Sequence, residues 1–501
     1  MNYAMCYAFL GVLAVIQGVN GLRTYNGPVP NLQHSPFGWG GQSTGGSLNK
    51  SATYIVSNST ELREALALPF TKTIYVDGVI HGNQLDNGSF ATCETFIATS
   101  GSPGSAVRQF DFNLYIFSLN STYLSLVTAA AAANETFEGR NATEYRALLG
   151  HQNGWRPVVA ATMKAQVGFK LTNNTSLIGL NEGAALNGIN LYLSSVNNVW
   201  IRNLKLVSPK DCFPAPETFP SSWNALYDAV GIVTASNVWV DNCELQDQLS
   251  GEWVEPDVIP PGWQVDRFDG LFDCEDGTDN VTFSHNIVRN HHKSLLLGGG
   301  TKEADRDLGR MHFTIFGNHF DNSASRNPLM RFGTFEVFAN LYKSRNDKAP
   351  LFTSSSSLRR QADEPGADVP LDALFQYHLG IYNQSTVHVQ DNVFIQGGAV
   401  ANDTSRIFTL SEDTLPQRPA RLCLTQGGET AAFPSTMNGE PINLADIAQG
   451  TIDYFVAKGS AAEGAVLLTC DGFEVASGLP RQFSSAEEVA QYVRAEAGQT
   501  H

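Results

Sequence analysis

The sequence predicts an all-β protein, a parallel β-helix with long loops and a helical and loop extension at its C-terminus. Three observations predict it, of which two are a short strand-like motif that recurs through the middle of the chain and an asparagine that recurs with it. The third is compositional, since 45 of 501 residues are glycine and helix-forming runs are sparse.

The motif reads NNVWIRNLKL at 197–206, NVWVDNCEL at 237–245, NVTFSHNIV at 280–288, HFTIFGNHF at 312–320, FEVFANLY at 335–342 and TVHVQDNVF at 386–394. Apolar residues alternate over four to six positions, the pattern of a half-buried strand. A polar break and an asparagine follow: Asn203, Asn242, Asn286, Asn318, Asn340 and Asn392. Variable spacing between copies places insertions in loops of a stacked coil. Asparagines repeated at one corner can hydrogen-bond to their copies and satisfy polar groups that the bend strands. A β-sandwich shares the alternation but gives no reason for the asparagine.

Around this repeat the chain divides into 1–21, 22–400 and 401–501. The apolar run from Ala4 to Ile16, followed by Val19-Asn20-Gly21, has the length and end of a signal peptide and is too short for a membrane span. No later run is long enough for a span, so no membrane partner is expected. Eleven Asn-x-Ser/Thr sequons and six cysteines beyond residue 21 fit a secreted glycoprotein with disulfides. Cys423 and Cys470 lie together in the C-terminal part and are the expected pair. Residues 101–165 read as an insertion or long loop, and 208–223 and 250–267 as Pro- and Trp-rich loops. Trp223, Trp253 and Trp263 are expected in the loops around the cleft. Ser484-Ser485-Ala486-Glu487-Glu488 has the form of a capped start to a terminal helix. The net charge of −17 carries no basic footprint for nucleic acid.

Two clusters could carry chemistry. Asp228 in WNALYDAV, and Asp269 and Asp273 in DGLFD, offer three carboxylates that stacked rungs can bring together as an oxygen cage for Ca2+. On DGLFD alone, a solvated acidic turn is the favoured reading, since acidic turns are common. Lys293 in NHHKSLLLGG, with Arg326 and Arg331 in SRNPLMR, would sit one or two rungs further on. A cation site beside bases that bind carboxylates suits a polyuronate. Singly, each base reads as a surface charge. His291 and His292 read as structural.

The ordered run YDAV, VWVDN, DGLFD, VTFSHN, HHKSLLLGG, NHFDN and SRNPLMRFG resembles the pectate lyase family of secreted polysaccharide lyases. GWGGQSTGG, YIVSNSTELREAL and TIYVDGVIHG resemble its glycine-rich opening, first helix and first strand. The resemblance covers roughly 36–395 and, more loosely, 470–500. It implies a right-handed parallel β-helix, a monomer, and Ca2+-dependent β-elimination on polygalacturonate. It also implies Asp228, Asp269 and Asp273 as Ca2+ ligands, Arg326 as the base, and Lys293 and Arg331 as the groups that bind the substrate carboxylate. One position departs from the family: its VWIDH has histidine where this chain has Asn242. Asn242 is expected to belong to the asparagine ladder. Two other readings stand beside this one: a pectin lyase acting on methyl-esterified chains, and a non-catalytic pectin-binding β-helix.

Overall fold

The computed structural model describes residues 21–220, 222–247, 264–265, 267–344, 375–401, 403–410, 419–424, 433–459, 464–470, 476 and 478–500. The expected signal segment, Asn402, Trp253 and Trp263 lie outside them. Three sheets of twelve, eight and ten strands run the length of the coil among the described residues. Nearly all pairings are parallel. Each turn of the chain gives one strand to each sheet, as in Ser236–Asp241, Glu244–Asp247 and Phe272–Glu275. This is a parallel β-helix.

Alternation along the strands produces the core. In the first sheet Val199, Val238, Val281, Phe313, Phe335 and Val387 stand in register, all fully buried. Two residues on, Ile201, Val240, Phe283, Ile315, Val337 and Val389 form a second buried file. Each such side chain contributes about 1.5–3 kcal/mol of burial. In the third sheet Phe320, Tyr342 and Phe394 stack at centroid distances of 4.9 and 4.8 Å, the spacing between strands.

The bend between first and third sheets needs one left-handed residue per rung. Asn203, Asn242, His285, Gly317, Ala339 and Asp391 occupy it, with φ between 51° and 67°. The ladder asparagine comes next. Asn286 Nδ2 donates to Asn318 Oδ1 at 3.2 Å, Asn318 to Asn340 at 3.0 Å, and Asn340 to Asn392 at 3.1 Å. Asn203 and Asn242 are therefore not ladder members. They sit one position earlier, where asparagine is favoured because it tolerates positive φ. Cys243 occupies the ladder position of its rung, and its backbone N–H donates to Asn286 Oδ1 at 2.8 Å.

Two stretches differ from expectation. Residues 101–165 contain helices rather than an open loop: Phe112–Leu119, Ser121–Ala132 and Ala142–Val167. Asp111, Asn120 and Asn141 cap them, accepting from Leu114, Tyr123 and Glu144 N–H groups. The first two helices bend by 91° where they meet, and no single described helix is long and apolar enough to cross a membrane. Beyond residue 400 the sheets continue. Arg421–Leu424 and Val466–Leu468 extend the first, Phe408–Leu410 the second and Thr436–Met437 the third. The expected terminal helix is Ala486–Glu496, capped by Ser485, and Leu444–Ala457 is a further helix packed on the coil.

Two disulfides form, Cys93–Cys212 and the expected Cys423–Cys470. Cys243 and Cys274 are buried free thiols inside the coil, so the even count does not resolve into three bridges. The sequon at Asn383 is closed in the folded chain, because Asn383 and Ser385 are both fully buried.

A glycine-rich strap crosses the outer face of the first sheet. Trp39 and Gly40 N–H groups donate to Thr314 and Thr282 hydroxyls, and those of Thr44 and Gly45 to Asn198 Oδ1. A Cβ on Gly46 would lie 1.9 Å from Lys72 O, so only glycine allows the approach. Upstream of the strap, His34 stacks on His285 with centroids 3.6 Å apart. Asp241, at the end of its strand, accepts from Arg202 at 2.6 Å, Ser284 at 2.7 Å and His285 at 2.7 Å. His285 Nε2 meets the Tyr492 hydroxyl of the terminal helix at 2.9 Å. The tail then runs back along the bend. Asn242 Nδ2 donates to Glu496 and Gly498 carbonyls, and Thr500 N–H donates to Asn203 Oδ1.

Burial opposes ionisation of Asp241, but hydrogen bonds from His285 and His34, with the Arg202 charge, hold its carboxyl well below the usual range. Burial likewise lowers His34, and its contacts with Asp241 and Glu496 reverse that to a net rise. The Asp241 contribution is lost as pH falls through its depressed folded value. The His34 contribution is lost as pH rises through its raised one. Both are present together between about pH 4 and 6.5. Asp241→Asn leaves Arg202 buried with its charge uncompensated. It is expected to lower unfolding free energy by about 3 kcal/mol, most in that pH window, measured by urea denaturation.

Candidate active site

The outer face of the eight-stranded sheet carries a cleft of about 400 Å³. Consecutive rungs supply its floor. Asp228 lies two residues before Val230–Val233, Asp269 precedes Phe272–Glu275, and Asp273 lies in that second strand opposite Gly231. Lys293 leads into Leu295–Leu297 on the next rung, and Arg326 into Leu329–Met330 on the one after. Asp228, Asp269, Asp273, Lys293 and Arg326 thus line one cleft.

Glycine makes room for the acids. A Cβ on Gly270 would lie 2.0 Å from Asp273 Oδ1, and one on Gly231 would lie 3.0 Å from Asp228 Oδ2. The glycine of DGLFD is therefore the seat of the Asp273 carboxylate. Gly270 N–H also donates to Asp228 Oδ1 at 2.9 Å, and Leu296 N–H to Asp273 Oδ1 at 3.3 Å. Lys293 Nζ pairs with Asp269 Oδ1 at 3.1 Å and donates to Asn224 Oδ1. His291 is structural, as expected: it bonds Asp247 at 2.7 Å and the Lys293 carbonyl at 2.9 Å.

The acids repel one another in a desolvated place. Burial, then the charges of Asp273 and Asp269, raise Asp228 well above the carboxylate range. Burial and Asp269 push Asp273 up to about 8. Glu275, which sequence reasoning missed, lines the same cleft and is also raised, first by burial. Burial works against the Arg326 charge, but Asp273, Tyr377 and Asp269 raise it above its ordinary value. Arg326 holds a left-handed backbone, φ 57°, which costs a side chain about 1 kcal/mol or more and fixes its direction.

Arg331 is placed differently. Its guanidinium donates to the Gly298 and Gly299 carbonyls at 2.7 and 3.3 Å and lies over Tyr382, beside the cleft floor. Gly298 takes φ 100° in the turn expected there. Trp223 is not a cleft residue. It is buried among Phe112, Tyr115 and Phe219, because the helical insertion covers it. Lys164 and Tyr192 line the cleft and were not legible as site residues, since no local motif marks either.

An all-oxygen set of carboxylates, desolvated, mutually repelling and seated on glycines, fits a hard divalent cation. Here the acids are splayed, with Asp269 on Lys293 and Asp228 on a backbone N–H. Among the described residues, the group whose potential ligand atoms all lie within 4.8 Å is instead His34, Asp241 and His285. Asp241 in that group is already occupied by arginine, serine and histidine donors, which makes it a structural network.

A parallel β-helix with an acidic and basic groove on one sheet defines a class of polysaccharide-acting protein. A pectate lyase family model matches residues 157–412, and the chain belongs to that family of polysaccharide lyases, whose general reaction is β-elimination. The pectate lyase of Bacillus subtilis is 26% identical over 382 residues, covering 74% of this chain and 78% of its own. Pectate lyase plyB of Emericella nidulans is 30% identical over 220 residues, 44% of this chain and 60% of that one. Pectate lyase E of Dickeya chrysanthemi is 27% identical over 232 residues, 43% and 59% of the two chains. The solved structure of a pectate lyase bound to hexasaccharide shares the fold with a TM-score of 0.66 at 22% identity, covering 93% of this chain and 97% of its own.

The raised acids make stability depend on pH. Folded Asp273 keeps its proton up to about pH 8 while the unfolded residue loses it near 4, so the folded state binds more protons between them. In chelator, unfolding free energy is expected to fall as pH rises from about 4 to 8, and Asp273→Asn is expected to flatten that slope. Urea denaturation across pH for both proteins measures it.

Proposed function

We propose that this chain is a secreted, monomeric, Ca2+-dependent pectate lyase. It cleaves (1→4)-α-D-galacturonan and leaves 4,5-unsaturated oligogalacturonates. The observation that carries the reading is the cleft itself: under-compensated carboxylates on two adjacent rungs with Lys293 and Arg326 on the next two. Residues 1–21 are read as the signal peptide, 22–400 as the catalytic coil and 401–501 as an extension that lengthens and caps it.

Asp228, Asp269 and Asp273 would hold the ion. When bound, it neutralises carboxylate charge and makes the proton on carbon 5 of a galacturonate more acidic. Lys293 and Arg331 bind the uronate carboxylate, which requires Lys293 to exchange Asp269 for substrate. Arg326 takes the carbon 5 proton. The electron pair forms the double bond between carbons 4 and 5, the bond to oxygen 4 breaks, and the leaving oxygen gains a proton from solvent. Asp273 and Asp269 raise Arg326 in the present arrangement. Once those carboxylates are neutralised, that support is gone, and the neighbouring Lys293 charge favours the neutral base. An apolar tryptophan in the cleft would favour a less charged, esterified substrate, and Trp223 is buried away from it.

The test is ultraviolet detection of unsaturated uronides from polygalacturonate. Product is expected with Ca2+ and not with EDTA, and Arg326→Lys is expected to lower kcat by about 10³-fold. Full activity in EDTA would point to pectin lyase chemistry. Full activity in Arg326→Lys would remove Arg326 as the base.

A further inference from the structure

The helical insertion does more than cover the coil: it delivers a cation to the cleft. Lys164, on the Ala142–Val167 helix, lines the cleft, as do Asn190, Tyr192 and Glu217. The helix is held where Lys164 must point. The Tyr227 hydroxyl donates to Ala160 O at 3.0 Å, and Tyr227 is the neighbour of Asp228 in sequence. Ala160 and Lys164 are one turn apart on the same helix face. Past Lys164, Gln166 Nε2 donates to Gly82 and Gln84 carbonyls at 3.0 and 2.9 Å, and Arg63 donates to Gly168 O at 2.9 Å. The Cys93–Cys212 disulfide ties the start of the insertion to the coil. Lys164 itself is exposed and forms no ion pair among the described residues.

Tyr192 lines the same cleft. Leu191 and Leu193 turn inward and are fully buried, so Tyr192 faces the groove and is 38% exposed. It pairs with Gly231, which pairs with Asp273. The Tyr192 backbone is therefore two rungs, about 10 Å, from that of Asp273 on the N-terminal side. The missing side chain at Gly231 leaves no wall between ring and acids: a Cβ there would touch both Asp228 Oδ2 and Tyr192 Cδ2, at 3.0 and 3.9 Å. An exposed ring in a polar groove presents an apolar face suited to the C–H face of a pyranose. An exposed ammonium in the same cleft suits a carboxylate.

We propose that Lys164 and Tyr192 form a uronate subsite on the early-rung side of the reacting centre. Tyr192 stacks on one sugar of the bound chain, and Lys164 pairs with that sugar's carboxylate. This rests on the polygalacturonate reading. The two residues position substrate and take no part in bond breaking.

Steady-state kinetics on polygalacturonate test it, with Lys164→Gln, Lys164→Arg, Tyr192→Ala and the remote Lys50→Gln as control. Lys164→Gln is expected to raise KM about two- to fivefold with kcat unchanged, Lys164→Arg to restore KM, and Lys50→Gln to leave both as they were. Tyr192→Ala is expected to raise KM in the same way. An unchanged KM in Lys164→Gln, or a fall in kcat alone, overturns the subsite. Absence of turnover by the wild type would count against the proposed function, and direct titration with oligogalacturonate then decides the subsite separately. Weaker binding by Lys164→Gln than by wild type supports it, and equal binding overturns it.

Discussion

The bend between the first and third sheets is the constraint on which the molecule depends. Each rung must reverse direction within two residues, one left-handed and one whose side chain meets the polar groups the turn exposes. Asn286, Asn318, Asn340 and Asn392 solve the second requirement together: the first three amides each accept from the rung before and donate to the rung after, and Asn392 closes the run, accepting from Asn340 and donating to Val337 O. Once that corner repeats, the strands it joins repeat in register. The Val199 and Ile201 files then fill the interior, and the second sheet is carried along with a fixed spacing between rungs. The cleft acids and bases inherit their separations from that spacing.

The groove is expensive for the same reason that it is useful. Asp228 and Asp273 face each other over glycines in a place poor in water, and the protein keeps them there although both resist ionising. A scaffold with fewer buried contacts would relax by moving the strands apart. Here the strands cannot move without breaking the ladder and the apolar files. The tension is discharged locally instead: Lys293 leans on Asp269, and the Asp228 carboxylate turns to a backbone N–H.

Much of this was legible in sequence because it is local. Alternation marked the strands, the recurring asparagine marked the corner, and DGLFD and SRNPLMR marked the groove. The same locality explains the slips. Asn203 and Asn242 occur at nearly the same place in their motifs as the ladder residues, and only backbone angle separates the two positions. Residues 101–165 carry glycine, proline and sequons, which read as loop, yet Asn120 and Asn141 of those sequons serve as helix caps. Trp223 reads as a cleft residue until the Phe112 helix is seen lying over it. Lys164 and Tyr192 belong to no motif and share a cleft only because a long helix is fastened at Tyr227.

The two chain ends are fastened in an unusual place for a coil. The N-terminal arm reaches the Asp241 corner through His34, and the C-terminal tail reaches the same corner through Tyr492 and Asn242 before passing on to Asn203. A pulling force on the C-terminal end therefore arrives within the stack, at the Asn203 and Asn242 rungs, whereas one on the N-terminal end first meets Arg23–Thr24, paired with Thr53–Val56 at the outer edge of the first sheet. From the C-terminal handle the coil cannot be unreeled one turn at a time: resistance comes first from corners backed by rungs on both sides, and under load from that end the molecule should yield abruptly rather than gradually.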